Sequence, residues 1–362
     1  MNSQIKWVLI LYIFFLIIGC KGKKEDPFTP VFIHEKRDFS LWIVDKKGEE
    51  REIYKDIKPI GLAPQYKKDS LLYGITREGK NIIYGLNLKT GERKELLETD
   101  IPAANLVSSN DGKRIAFVSQ KEIWMMEIGS DKLKKMVSLS TQSPFSFPYS
   151  LSFSPKGDKI AFLWGQRSAF NADLWIIDCK TRDLQRLTFE NNIFFQDNPL
   201  PLSWSREGDK IIVFQTTDKS AGKGIMVSVD IKNKTRRRYI FEGINIDCFR
   251  PVFSPDGGKI LFVGYRKGEV SNLWQISLKK EELGQLTRFK EANVCGEVSY
   301  SPDGTKIAFG LFDGNYSIWS VSRDGTSLKR VTKVSDNEED YHYPVWLSDE
   351  KLGFLRIQLI KQ

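Results

Sequence analysis

Histidine is almost absent from this chain: two in 362 residues, His34 and His342. A zinc site wants several His or Cys ligands, so a lone His342 cannot build one. No Gly-x-Ser-x-Gly elbow occurs, and neither a phosphate-cradling glycine loop nor a nucleophile–base–orienter set can be assembled from the motifs. Helical periodicity is scarce, which points away from helices. No long basic block follows residue 24, although the formal net charge is +9. The lysines and arginines are spread through turn-like stretches and read as a solvated surface, not a nucleic-acid face.

What is present is β-forming. There are 23 Phe, 9 Trp and 12 Tyr beside 27 Gly, within a balance of 41% hydrophobic and 28% charged residues. Aromatics with many glycines favour strands and tight turns. The length suffices for one large domain or two smaller ones.

The first nineteen residues stand apart. One charge, Lys6, precedes an apolar run from Trp7 to Ile18. As a helix this run spans about 18 Å, short of the roughly 30 Å hydrocarbon core, which favours a signal peptide over a membrane span. Residues 20–39 read as a tether, with charges and prolines between Lys21 and Val31, and residues 40–362 as the folded domain.

Internal repetition decides the fold class. Phe253-Ser254-Pro255-Asp256-Gly257 leads into Ile260-Leu261-Phe262, and close copies start at Phe153 and Tyr300. Weaker copies contain Ser205 to Gly208 and Ser109 to Gly112, and degenerate ones lie at Lys68-Asp69 and Ser348-Asp349. Glycines 112, 157, 208, 257 and 304 mark a period of 45 to 51 residues. Proline and glycine in these words preset a turn, so Asp256 and Asp303 are expected to form turns and not to catalyse. A second hairpin follows each, with an aromatic anchor at Tyr84, Trp124, Trp175, Trp274 and Trp319, and Met226 standing in once. Such a repeated slot belongs to the core. Four strands per repeat without helices predicts an all-β chain, a β-propeller of seven four-stranded blades, with six or eight as alternatives. The last blade lacks its outer pair, and the N-terminal hairpin, Leu41 to Asp45 and Arg51 to Ile53, is expected to complete and close it.

These words, Ser-Pro-Asp-Gly, Ile-Ala-Phe, Leu-Trp and Leu-Thr, resemble the TolB-like propeller repeat over nearly all of residues 40–358. The repeat is specific for fold and weak for function. TolB itself has a small α/β domain before a six-bladed propeller, whereas only about twenty residues stand here between Cys20 and the first strand. Leu16 to Cys20 resembles the lipobox of bacterial lipoproteins, which implies cleavage after Gly19 and diacylglycerol on the Cys20 sulfur. The implied location is the cell envelope, on the outer membrane facing the periplasm in preference to the outer leaflet of the cytoplasmic membrane. Nucleic acid is not an expected partner there.

Propeller ligands usually meet the channel mouth, at loops entering the innermost strands. Asp197, Asp247 and Asp340 recur there at similar offsets, with Arg250, Glu297 and His342 nearby. This ring could take a cation, a sugar or a basic peptide end; alternatively the acids accept backbone N–H bonds and tie adjacent blades. Aromatics interleave in the same loops, among them Phe147, Tyr149, Tyr341 and Tyr343, and either form a patch for a partner or plug the channel. Cys248 and Cys295 fall at equivalent places in neighbouring repeats, either as a disulfide or as two independent buried thiols. No cofactor and no metal are expected. The reading is a non-catalytic envelope lipoprotein, membrane-held through lipid at Cys20, that binds a protein or glycan. The alternative is a glycan hydrolase or lyase with acids at the channel mouth, and a scaffolding subunit of a larger complex is a third reading.

Overall fold

The side chains of the Ser-Pro-Asp-Gly words show why they turn. Ser109, Ser154, Ser205, Ser254 and Ser301 each accept, on the hydroxyl, the backbone N–H five residues on, at 2.9 to 3.0 Å. Each hydroxyl donates in return to an aspartate at 2.5 to 2.6 Å. The aspartate is the third residue of the word (Asp111, Asp256, Asp303) or, where Lys156 and Glu207 take that place, the fifth (Asp158, Asp209). The glycine is left-handed every time, with φ of 65° to 73° at residues 112, 157, 208, 257 and 304, a conformation that costs other residues about 1 kcal/mol. Asp256 and Asp303 are turn formers, as expected.

The computed structural model of the chain describes residues 37–359, apart from 56–60, 65–69, 88, 131, 140–145, 167–170, 191–192, 194–201, 219–222, 247–250 and 335–338. In chain order the strands are β1 (Arg37–Val44) and β2 (Glu50–Lys55); β3 (Gly61–Pro64), β4 (Ser70–Arg77), β5 (Lys80–Asn87) and β6 (Arg93–Thr99); β7 (Ala104–Ser108), β8 (Arg114–Ser119), β9 (Glu122–Glu127) and β10 (Leu133–Ser138). They continue as β11 (Ser146–Phe153), β12 (Lys159–Gln166), β13 (Asn171–Asp178) and β14 (Leu184–Arg186); β15 (Ser203–Trp204), β16 (Lys210–Asp218), β17 (Lys223–Asp230) and β18 (Arg236–Tyr239); and the short β19 (Asn245–Ile246). The last are β20 (Val252–Phe253), β21 (Lys259–Tyr265), β22 (Asn272–Ser277) and β23 (Leu283–Gln285); β24 (Asn293–Tyr300), β25 (Lys306–Phe312), β26 (Tyr316–Ser322) and β27 (Lys329–Arg330); and β28 (Glu339–Ser348) with β29 (Lys351–Leu359).

Among the described residues these strands make five four-stranded sheets and one nine-stranded sheet. The nine-stranded sheet contains two antiparallel meanders, β15–β18 and β20–β23, bridged by β19, which pairs with β17 and β21. The two ends of the chain share one sheet in the order β2-β1-β29-β28. There β1 runs antiparallel to β29 from Arg37 opposite Leu359 to Val44 opposite Leu352, covering both strands' open edges. Strand β1 starts at Arg37, so it takes in the last three residues of the 20–39 segment; residues 1–36 lie outside the described residues.

One cross-strand pair recurs in every meander. It places Tyr73 opposite Tyr84, Phe117 opposite Trp124, Phe162 opposite Trp175, Phe214 opposite Met226, Phe262 opposite Trp274, and Phe309 opposite Trp319. In the sheet built from both termini the pair is Phe354 and Trp42. The first member is buried in each case. The anchoring Trp is buried at Trp274 and half-buried at Trp42, Trp124, Trp175 and Trp319. Several of these rings lie under a cation: Arg356 is 4.9 Å from the centroid of half-buried Trp42, Lys135 5.2 Å from that of half-buried Trp124, and Arg266 4.8 Å from that of buried Trp274. At partly exposed sites such contacts contribute about 0.5–1 kcal/mol each. The Leu-Thr words close the second hairpins: Thr188, Thr287 and Thr332 accept the N–H of Leu174, Leu273 and Ile318.

The buried apolar residues fall into seven clusters, each straddling two successive meanders. Leu72, Ile83, Leu106 and Phe117 form one, and Ala308 and Ile318 meet Trp346 and Phe354 in another. The circuit closes where Leu41 and Leu355 of the terminal sheet pack on Leu71 and Tyr73. Sheets buried face to face around a closed circuit, with their first strands inward, are the architecture of an all-β propeller.

Candidate functional site

Four of the first strands carry an irregularity near their middle, one extra residue in three of them and two in β24. Register shifts fall between Ala104 and Val107, Tyr149 and Ser152, Val294 and Val298, and His342 and Val345. In three of these a residue is left-handed without being glycine: Asn105 (φ 52°), Ser150 (φ 52°) and Tyr343 (φ 55°). Each stands three places before the residue that faces the first apolar position of the next strand, Ser108 opposite Ile115, Phe153 opposite Ile160 and Trp346 opposite Leu352. Such a residue costs about 1 kcal/mol or more and persists only where its surroundings hold it.

What holds it comes from the neighbouring meander. The Asn105 side-chain oxygen accepts the Ser150 N–H at 3.3 Å, and the Glu297 Oε2 accepts the Tyr343 N–H at 2.8 Å. Asn105 and Glu297 occupy the position equivalent to the residue they hold, one meander earlier. Glu297 does more. Its Oε1 is 3.1 Å from His342 Nδ1, and because an ionised carboxylate only accepts, that nitrogen carries the hydrogen. Glu297 is 7% exposed and His342 4%. The imidazole lies 4.4 Å, centroid to centroid, from the ring of Tyr316, and the Tyr316 N–H donates to Asp340 Oδ1 at 3.0 Å.

The structure thus brings together three residues of the predicted ring, Glu297, Asp340 and His342. It places them at the joint between β24–β27 and the sheet of both termini. Each carboxylate named here accepts a backbone amide across that joint. A pair this buried, with both carboxylate oxygens occupied, offers neither a base nor an acid to a molecule arriving from solvent. Asp197, Asp247 and Arg250 lie outside the described residues, as do Cys20 and Cys248, so no Cys248–Cys295 pairing can be traced. Cys295 is buried, with Sγ 3.3 Å from the Asn293 carbonyl oxygen. Of the loop aromatics, Tyr341 and Tyr343 are buried in inter-sheet clusters, while Phe147 and Tyr149 are half-buried, with ring centroids 6.4 Å apart.

A second polar chain runs behind the first. The Tyr341 hydroxyl donates to Glu339 Oε2 at 2.7 Å, and Arg356 pairs with Glu339 at 2.5 Å while covering Trp42. Burial, with the bond to Glu339, pushes the Tyr341 phenol far above its usual range, so it remains a donor at any physiological pH. Among the described residues no three His, Cys, Asp or Glu side chains converge as a metal would need. Sequence reading missed Asn105, Ser150 and Tyr316. Lining up the residue four before each turn-word serine, Ser109 and Ser154, would have found the first two.

No family model matches the chain. Two TolB proteins of the Tol-Pal system are similar in sequence. That of Anaeromyxobacter dehalogenans is 37% identical over 97 residues, 26% of this chain and 21% of the relative. That of Francisella tularensis is 24% identical over 259 residues, 69% of this chain and 55% of the relative. The solved TolB of Acinetobacter baumannii superposes with a TM-score of 0.50 at 16% identity, covering 90% of this chain and 64% of that one. The chain is a TolB-like propeller protein. It spans between about a fifth and about half the length of the curated relatives it matches. The same fold appears in the oligogalacturonate lyase of Vibrio parahaemolyticus, with a TM-score of 0.61 at 14% identity over 89% of this chain and 98% of that one. The propeller itself therefore does not choose between binding and catalysis.

Proposed function

We propose that this TolB-like chain is a non-catalytic lipoprotein of the bacterial cell envelope whose propeller is a rigid scaffold for binding a protein or a glycan. In this reading residues 1–19 are the export signal and Cys20 carries the lipid, by preference on the outer membrane facing the periplasm. Counting the nine-stranded sheet as two blades joined through β19 gives seven blades, in line with seven inter-sheet clusters. The observation that carries the non-catalytic half is the state of Glu297, Asp340 and His342: both Glu297 oxygens are taken up by the Tyr343 amide and His342 Nδ1, and Asp340 Oδ1 accepts the Tyr316 amide, all across one joint. Groups so used hold a scaffold rigid, and rigid loops on a closed scaffold suit recognition. Similarity to TolB proteins supports the envelope half.

Two measurements test the reading. Labelled palmitate fed to the producing cells should enter the chain and be absent from Cys20→Ala, and the wild type should fractionate with membranes. Crosslinking on intact membranes should then yield one reproducible partner. An unlabelled, unattached chain would overturn the anchor, and turnover of an envelope glycan by the purified protein would overturn the scaffold in favour of a hydrolase or lyase.

A further inference from the structure

The scattered basic charge has one exception. Lys232, Lys234, Arg236, Arg237 and Arg238 place five cations, and no acid, in seven successive positions. They form the β17–β18 turn and most of β18. Strand β18 is outermost in its meander and, among the described residues, pairs only with β17, which leaves its other edge open there.

Two of the five cations are used at home. Arg236 pairs with Glu190 and reaches the Leu187 carbonyl of the preceding meander at 3.3 Å. Arg237 pairs with Glu281 of the following one at 2.5 Å and covers the Tyr239 ring at 5.2 Å. Lys232, Lys234 and Arg238 are exposed and have no acidic partner among the described residues. Other outermost strands carry fewer cations or balance them: β2 and β6 mix acids with bases, β23 has no charge, Lys135 of β10 pairs with Glu122, Arg186 of β14 pairs with Asp173, and β27 has only Lys329 and Arg330. The cationic edge is also flanked by the largest apolar exposures near it, Ile240 at 71% and Phe189 at 61%. Phe189 lies under Arg186, next to the Glu190 that Arg236 holds.

We propose that the open edge of β18 is a docking strip for an extended acidic segment of a partner protein. The inference rests on the protein-binding form of the proposed function and names the chemistry of its partner. An open edge supplies backbone donors and acceptors that only another strand matches, and alternate side chains supply selectivity. Carboxylates on that strand would meet Arg238, Lys232 and Lys234, and charge-assisted bonds to arginine are the stronger ones. The same charges repel a second copy of this edge, which keeps the strip from pairing with itself. Ile240 and Phe189 then lie beside the added strand, where apolar side chains of the partner can cover them.

The test uses the full chain in detergent and a fluorescent nine-residue peptide alternating Glu and Thr, read by anisotropy. Saturable binding is expected, weakening roughly tenfold or more in Lys232→Glu/Lys234→Glu/Arg238→Glu. An unchanged melting temperature of that variant shows that the fold is intact. Methylating alternate peptide nitrogens removes strand pairing without touching charge, and it should weaken binding as strongly. No binding of the peptide, equal binding by the triple variant, or equal binding of the methylated peptide would each overturn the proposal. So would displacement of the peptide by phosphatidylglycerol vesicles but not by phosphatidylcholine ones, which assigns the edge to anionic lipid. Palmitate labelling is independent of this assay, so failure here leaves the envelope reading standing.

Discussion

Replacing Glu297 with alanine should loosen the propeller at one joint, by an amount the geometry bounds. The carboxylate accepts the Tyr343 N–H at 2.8 Å and the His342 Nδ1–H at 3.1 Å, with all three residues buried. Truncation strands a buried amide, costing about 1–3 kcal/mol, and removes the Glu297 oxygen that His342 Nδ1 faces at 3.1 Å. Tyr343 also loses what holds it left-handed, about 1 kcal/mol of strain no longer offset locally. A total of about 3 kcal/mol is expected, roughly 5 °C in melting temperature for a chain of this size. Glu297→Gln keeps an oxygen for the Tyr343 amide and should lose about a third of that. Asn105→Ala removes the longer, neutral bond to Ser150 and should cost about 1 kcal/mol. Calorimetry ranks the three, and amide exchange at Tyr343 locates the loss. A melting temperature unchanged in Glu297→Ala, or Asn105→Ala as damaging as Glu297→Ala, refutes the joint as described.

Three other perturbations have defined outcomes. The Arg323 guanidinium, with Ser254 and the Gly258 amide, holds the Asp256 carboxyl far below its ordinary value of 3.8. A depressed carboxylate contributes stability above its unfolded value and loses it as pH falls through the folded one, so the gap in melting temperature between wild type and Asp256→Asn should close below about pH 4; a gap constant from pH 6 to 2 refutes this. Burial pushes the Cys179 thiol up to about 11, and its alkylation at pH 8, followed by peptide mass spectrometry, should be slower than in urea by a factor on the order of 10–100. A Cβ on Gly224 would stand 2.2 Å from the Gln215 carbonyl oxygen and 2.5 Å from the Phe214 ring, so Gly224→Ala should lower stability in urea by about 3 kcal/mol or more.

The parts legible in the sequence are those closed by near neighbours along the chain. A serine bonding an amide five residues on and an aspartate two or four away is a local event, so the turn words announced their geometry and the strands around them. The aromatic slot was legible for a related reason. Tyr73 and Tyr84, or Phe162 and Trp175, sit across one hairpin, and alternation fixes which face each occupies. The joining of residues 41–53 to the last hairpin followed from counting, because an unpaired meander end implies a missing pair.

The fate of the acids was not legible. Glu297 meets His342 and Tyr343 at separations of 45 and 46 residues, and Asp340 meets Tyr316 across 24. Ligand and latch need the same residue types at the same offsets, and a repeat period does not say whether an acid faces a channel or the next sheet. Likewise, five cations at residues 232–238 read as a solvated turn until β18 proves to have an open edge. Sequence determined the repeat, its turns and its hairpins, because those bonds close within a few residues. The closed circuit of sheets alone decided which polar groups were consumed in holding it together and which remained facing outward.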